Sequence, residues 1–443
     1  MALSLPLRTT AWVLAAWLCW PAAARAQEDD SIAHACGQEP PDAVYVPLPG
    51  PRPGETRWLS AEPSLVRREA PRPEVRPQSG LPQTRLRAGA LTGKTVYLSA
   101  GHGFFRSAPL GRWATQRDAT NGVVEDLVSL ETMDQYLLPM LMSAGATVVP
   151  VRESDLNPRG ALVDNGEQGY AEAGDAALFT SSAAKTGWGR PPVPLGNAVR
   201  PFQLGDFRVL TAAPTATASA TWAIPVPADG AYHVYVSYGA AADRVTDAHY
   251  VVRHAGGESH FRVNQRRHGG TWVLLGRFYF KAGAPAERAS VRADNDSAES
   301  GTLSLDAVRL GGGEGDVGDA AMAALPRPRA EECARYHVQY SGAPPEVFAP
   351  SGANALANER NADVTARPRF AAWLREEGED AIYVAWHTNA STGSGTVRGT
   401  EAYVYGPNPV DGTYNFTGDL GKAAVPALVG FLLTLTGWRH ALW

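Results

Sequence analysis

The chain has 443 residues, with 40 Lys and Arg against 45 Asp and Glu, a formal net charge of −5, and three cysteines. A mildly acidic balance without a basic cluster argues against nucleic acid as a partner. With no Cys-x-x-Cys pair, a cysteine-built metal site is also disfavoured.

Residues 1–26 carry Arg8, an apolar stretch from Ala11 to Trp20, and Ala24-Arg25-Ala26 before a polar run. This is the pattern of a secretory signal peptide cleaved after Ala26, and its apolar stretch is too short to span a membrane. Ala16-Trp17-Leu18 before Cys19 does not suit lipidation. Export leaves Cys36 and Cys333, for which an oxidising compartment permits a disulfide. Residues 27–90 are rich in Pro and Arg and read as an extended linker, with a helical element only around Ser64 to Glu69.

From Val96 a run of strand formers ends on Gly101-His102-Gly103. Such a strand delivers an imidazole to the carboxyl edge of a sheet, where open α/β folds build their sites. The loop that follows holds Arg106, Arg112, Trp113 and Arg117, suited either to solvent or to a peptide carboxylate and a sugar face. Leu127, Leu130, Met133, Leu137, Leu138 and Leu141 predict an amphipathic helix over about 124–143, opened by Glu125-Asp126 and closed by Gly145. A strand at 147–151 completes a parallel pair with a right-handed crossover.

Residues 161–311 alternate with period two. Clear strands lie at Ala231–Tyr238, Ala248–His254, Ser259–Asn264 and Trp272–Phe280, divided by Gly-Gly and Asp-Gly turns. The pattern predicts a β-sandwich. Trp272, Tyr235 and Tyr238 are either core or, if exposed, sugar-stacking residues. His233, His249, His254, His260 and His268 show no paired acids along the sequence, so no second metal site is expected. Gly311–Gly315 reads as a flexible exit. Beyond it come a helix near 318–324, a strand within Val338–Tyr340, a helix at Arg367–Glu377, and a second strand ending on a histidine, His387. A further strand follows at Gly399–Tyr405. Two imidazoles and a carboxylate leave a fourth position open, as in zinc hydrolases.

The blocks Leu98-Ser99-Ala100-Gly101-His102-Gly103, Gly122-Val123-Val124-Glu125, Ala144–Arg152 and Trp386-His387-Thr388-Asn389-Ala390 resemble, in order, those of zinc N-acetylmuramoyl-L-alanine amidases. The resemblance covers roughly 91–160 and 318–410. It implies an α/β fold, an open and mostly parallel sheet flanked by helices, with parts at 91–160 and 318–443. It also implies Zn²⁺ held by His102, Glu125 and His387, and peptidoglycan as substrate. Asp126 and Asn389 would orient ligands or cap turns, and Arg106, Arg117 and Trp113 would contact substrate.

Residues 161–311 resemble the β-sandwich of golvesin-like proteins through Val163-Asp164-Asn165, Asp229-Gly230-Ala231-Tyr232, Asp247-Ala248-His249-Tyr250, Val263-Asn264-Gln265, Gly269-Gly270-Thr271-Trp272 and Asp306-Ala307-Val308-Arg309. This implies an inserted, carbohydrate-binding-like unit. One departure concerns catalysis: the amidases carry a later glutamate, whereas this chain has no Glu after Glu401 and ends in an apolar tail, Leu420–Trp443. A truncated or frame-shifted reading of the gene would explain the tail, ahead of a natural loss of activity and of a membrane-anchoring tail, for which the run is short and broken by Pro426 and Gly430. Glu401 is the available substitute for the acid. Three readings stay open: a secreted or periplasmic wall amidase, an inactive wall-binding relative, and a zinc peptidase acting on other peptides.

Overall fold

The computed structural model describes residues 65–68, 91–107, 110–116, 124–196, 198–316, 326–349, 359–376 and 379–387. The signal segment, Cys36, the 318–324 helix, the 399–405 strand and the apolar tail lie outside the described residues. What is described is predominantly β, with few helices.

The first strand, β1 (Val66–Arg68), falls where the sequence suggested a helical element. It pairs antiparallel with residues 261–263, so part of the expected linker serves as an edge strand of the sandwich. Two consecutive arginines after a Val suit a sheet edge better than a short helix.

β2 (Thr95–Ala100) is buried at all six positions, as expected of an apolar, β-branched strand covered on both faces. After a hairpin of β3 (Phe105–Ser107) and β4 (Arg112–Ala114) comes the long helix α1. It is α-helical over Glu125–Glu131, π-helical over Thr132–Leu137 and α-helical again over Leu138–Ser143. Its buried apolar residues are Leu130, Met133, Leu138 and Leu141. The five-residue step from Met133 to Leu138 is a π turn, which keeps both side chains on the inner face. Leu127, expected to point inward, is exposed. Strand β5 (Thr147–Pro150) then pairs parallel with β2.

The sandwich is built from β6 (Ala161–Val163), β7 (Tyr170–Ala173), β8 (Phe179–Ser181), β9 (Arg208–Thr211), β10 (Ser219–Ala223) and β11 (Gly230–Val236). It continues through β12 (Ala248–His254), β13 (Gly257–Val263), β14 (Val273–Phe280), β15 (Ser290–Asp294), β16 (Thr302–Leu305) and β17 (Val308–Leu310). Their sheets run β1-β13-β12-β15-β10-β7, β14-β11-β17-β6 and β16-β9-β8. Trp222, Tyr232, Tyr250, Phe261 and Phe280 fill the space between them.

The glycine-rich exit is an ordered passage. Gly311 donates its backbone N–H to His233 O at 2.9 Å and Gly313 to Asn157 O at 3.2 Å. Helices α2 (Ala334–Tyr340), α3 (Pro345–Phe348) and α4 (Glu359–Leu374) follow, then β18 (Ala381–Trp386). Val338–Tyr340 is therefore helix, not strand. Every residue of α2 is buried, and a segment covered all round loses the periodicity that separates the two states. Helix α4 begins eight residues before the expected Arg367 and carries Pro368 in its interior. β18 pairs parallel with β2 to complete the sheet order β18-β2-β5.

The two sheet systems share one interior. Leu98, Leu130 and Met133 belong to the same apolar cluster as Trp188, Phe202, Tyr235 and Trp272. Beside it, Glu153, just after β5, forms a buried ion pair with Arg309 of β17, and Tyr235 donates to Glu153 Oε1 at 2.6 Å. Burial alone would raise the Glu153 carboxyl, but Arg309 overrides it and holds the group down at about 2. A carboxylate whose folded pKa is depressed stabilises the fold above its unfolded value, so this contribution is full above about pH 4.5 and disappears as pH falls toward 2. Glu153→Gln leaves the buried guanidinium unpaired and is expected to cost about 3–5 kcal/mol at pH 7, read from denaturant unfolding. The loss should shrink when the same comparison is made near pH 3.

Candidate metal centre

The register of β18 on β2 decides where the two histidines lie. Trp386 is opposite Ala100, and Gly101 N–H donates to Trp386 O at 2.9 Å. The chain thus leaves both parallel strands at one level, with His102 and His387 side by side. Their ring centroids are 4.7 Å apart. Glu125, the first residue of α1, points between them: its Oε1 is 3.2 Å from His387 Nδ1 and 3.8 Å from His102 Nδ1. An acid in the first turn also suits the positive end of the helix dipole. His102 is fully buried and Glu125 nearly so, while the His387 side chain is 23% exposed.

The donor set suits zinc. One ligand atom from each residue lies within 4.8 Å of the others, and tetrahedral Zn–N and Zn–O bonds of about 2.0–2.2 Å place neighbouring ligand atoms about 3.4 Å apart. Three protein ligands would leave the fourth position of such an ion open.

Two glycines let this arrangement close. Gly101 has φ +23 and Gly103 φ +87. A Cβ on Gly103 would come within 2.7 Å of Cys333 Cα and Glu332 O, and one on Gly101 within 2.0 Å of Ser129 Oγ. The turn is wedged between α1 and the segment before α2. Phe104 N–H donates to Glu331 O and Cys333 N–H to Phe104 O, at 2.8 and 2.9 Å.

Arg152 holds the turn from beneath. Its guanidinium donates to Ala100 O, Ala330 O and Glu332 O at 2.9, 2.8 and 3.1 Å. Asp126 is fully buried in the same place. Burial pushes its carboxyl up to about 6, with Arg152 pulling it back. The Gly103 backbone N–H, in the turn itself, also favours the charged form of Asp126. Arg152 and Arg367, described below, escaped the sequence reading. The signal was a cation directly after a buried strand in one case, and an Asp363/Arg367 pair one helical turn apart in the other.

Of the residues expected to contact substrate, Arg106 and Trp113 lie on the β3–β4 hairpin. The Arg106 backbone N–H donates to Tyr336 Oη at 2.9 Å, and Trp113 packs edge-on against Tyr336 with centroids 5.9 Å apart. Trp113 is half-buried and serves the hairpin's footing. Arg117, Asn389 and Glu401 lie outside the described residues.

Trp272, Tyr235 and Tyr238 are buried, which removes them as sugar platforms. Trp272 sits against Phe202 and Trp188 at 5.3 and 6.1 Å, and Tyr238 donates to Arg267 O at 2.8 Å. The expectation that the sandwich histidines lack acids is also corrected. His249 Nδ1 is 2.7 Å from Asp296 Oδ1 and 3.9 Å from Asp294 Oδ2, and His268 Nε2 is 3.1 Å from Glu379 Oε1. These partners lie across strands or far along the chain, where sequence adjacency does not reveal them. His249, Asp294 and Asp296 also lie close enough to share an ion. The two carboxylates are already held by Arg292 and Arg262, each at 2.7 Å, so the group reads as a cross-strand charge network.

Residues 202–312 match the Golvesin C-terminal domain family. Among solved structures, a Paenibacillus xanthan lyase is similar at 28% identity, with a TM-score of 0.28 over 35% of this chain. The chain spans only 13% of that lyase. A family 35 carbohydrate binding module from Clostridium thermocellum is similar at 17% identity and TM-score 0.23, over 34% of this chain and 97% of the module. A two-domain protein from Bacteroides fragilis NCTC 9343 is similar at 12% identity and TM-score 0.16, over 38% of this chain and 50% of that one. Comparison with curated proteins gives no match.

The wedge around His102 gives a direct test. Gly103→Ala is expected to destabilise the chain by about 1–3 kcal/mol from backbone strain alone, and further from the clash with Cys333. Thermal unfolding of Gly103→Ala beside Gly111→Ala, whose Cβ meets nothing within 4 Å, isolates the clash.

Proposed function

We propose that the chain is an exported zinc hydrolase that cleaves the amide between N-acetylmuramic acid and L-alanine in peptidoglycan, and that its β-sandwich holds the glycan. The observation that carries this reading is the convergence of His102, Glu125 and His387 at one end of a parallel sheet. The order of the surrounding motifs and the golvesin-family match of the sandwich support it. Among the described residues, no helix is long and apolar enough to cross a membrane.

His102, Glu125 and His387 would hold the ion, two neutral imidazoles and one carboxylate. Bound there, zinc supplies Lewis acidity and a water whose pKa falls toward ~7. Arg152 fixes the Gly-His-Gly turn so that His102 keeps its direction. His102 is fully buried, so the partly exposed His387 is the ligand that a substrate would approach.

A second reading, an inactive wall-binding relative, draws on the family match of the sandwich. On the sandwich, Tyr279 is the large aromatic that stays exposed among the described residues, at 49%. It is the natural platform for a sugar ring. A zinc peptidase would cut within the stem peptide instead.

Purified peptidoglycan incubated with the zinc-loaded chain is expected to release intact stem peptides, identified by mass spectrometry. His102→Ala should reduce release at least about a hundredfold, since it removes a ligand. Tyr279→Ala should weaken retention on peptidoglycan while leaving the cleavage position unchanged. Cuts inside the peptide would point to the peptidase reading, and retention without release to the inactive one.

A further inference from the structure

A guanidinium already occupies one of the imidazoles that the proposed metal requires. Arg367 of α4 is 3% exposed, and its Nη1 lies 3.0 Å from His387 Nε2. Arginine has donors only, so this contact has one chemical assignment: Nε2 accepts. A neutral imidazole that accepts at Nε2 carries its proton on Nδ1, and His387 Nδ1 faces Glu125 Oε1 at 3.2 Å. The metal-free chain thus holds a relay in which Arg367 donates to His387 and His387 donates to Glu125. The cation at one end offsets the carboxylate at the other.

Metal cannot join this relay without breaking it. If the ion takes Nε2, it needs the lone pair that Arg367 occupies. If it takes Nδ1, the ring proton moves to Nε2 and meets the Arg367 donor at close range. In either geometry the guanidinium must leave. A fixed cation near a divalent ion also repels it in a poorly screened interior. Arg367 already has other holds that would retain it: on its own helix Asp363 Oδ2, which also accepts from Gln116 Nε2 at 2.7 Å, is 3.8 Å from its Nε, and after β2 Gly101 O is 3.5 Å from its Nη1.

Resting on the metal-site reading above, we propose that Arg367 competes with zinc for His387 and thereby sets the metal affinity of the centre. Loading is an exchange in which the ion replaces the guanidinium on the imidazole and Arg367 keeps and tightens its existing pair with Asp363. It is a positioning residue that acts through His387.

Zinc titration of the full-length, chelator-stripped chain against a chromophoric competitor tests the proposal. Arg367→Met is expected to bind zinc at least about tenfold more tightly than wild type, and His102→Ala to lose tight binding. Zinc binding that His102→Ala abolishes but Arg367→Met leaves equal or weaker overturns the competition and spares the metal site. Binding that His102→Ala leaves unchanged overturns both. A second measurement reads the wild-type chain and does not need Arg367→Met to fold. ¹⁵N spectra of histidine-labelled, metal-free wild type, with His387 assigned through His387→Gln, should show the Nδ1–H tautomer, and an Nε2–H tautomer overturns the proposal.

Discussion

Two segments from opposite ends of the described chain run side by side in one register, and the centre depends on that pairing. Parallel strands exchange evenly spaced hydrogen bonds, so residues at equal heights emerge at equal levels. With Trp386 opposite Ala100, His102 and His387 meet at the carboxyl edge. Because side chains alternate with period two, a slip of one residue would turn one imidazole to the other face. The fully buried β2 strand resists such a slip, since its two faces pack against different elements and cannot trade places cheaply.

The sandwich contributes to that rigidity. It is joined to the parallel sheet through a common apolar interior around Trp272 and through the Glu153–Arg309 pair. On another side, Tyr97 of β2 donates to Glu379 Oε2 at 2.9 Å, and the sandwich residue His268 reaches Glu379 Oε1. Charges buried this deeply are costly to bring out of water and more costly to leave unpaired. They therefore define one relative placement of the two parts far more sharply than apolar contact alone, which tolerates sliding.

How much of this was legible in the sequence depended on whether the signal was local. β2 and β18 were readable because apolar, β-branched runs stop abruptly on histidine, and α1 because its leucines repeat near helical spacing. The π turn was not, since a single five-residue step is lost in a helical average. α2 was misread because total burial erases periodicity, and β1 because three residues carry too little pattern. The three residues proposed as metal ligands were legible as strand-end and helix-start positions that the fold brings together. The acids beside His249 and His268 were not, because they approach through pairing that no linear spacing encodes. Buried Trp272, Tyr235 and Tyr238 show the same limit from the other side: period two says that they share a face, but not which face is covered.

Three buried arginines then divide the labour of a small, crowded centre. Arg152 spends its donors on backbone carbonyls and so fixes the turn beneath His102. Arg309 spends its charge on Glu153 and ties the sandwich to the sheet. Arg367 alone is directed at a side chain that the proposed chemistry needs. A guanidinium cannot shed its proton to escape a buried site, as a lysine can. Its charge therefore persists whether or not an ion is present, and only movement can relieve the conflict. Asp363, one helical turn away on α4, is fully buried and lies within reach. Because Arg367 is paired with Asp363 even while it contacts His387, the movement is a retreat onto a partner it already holds, rather than an expulsion into solvent.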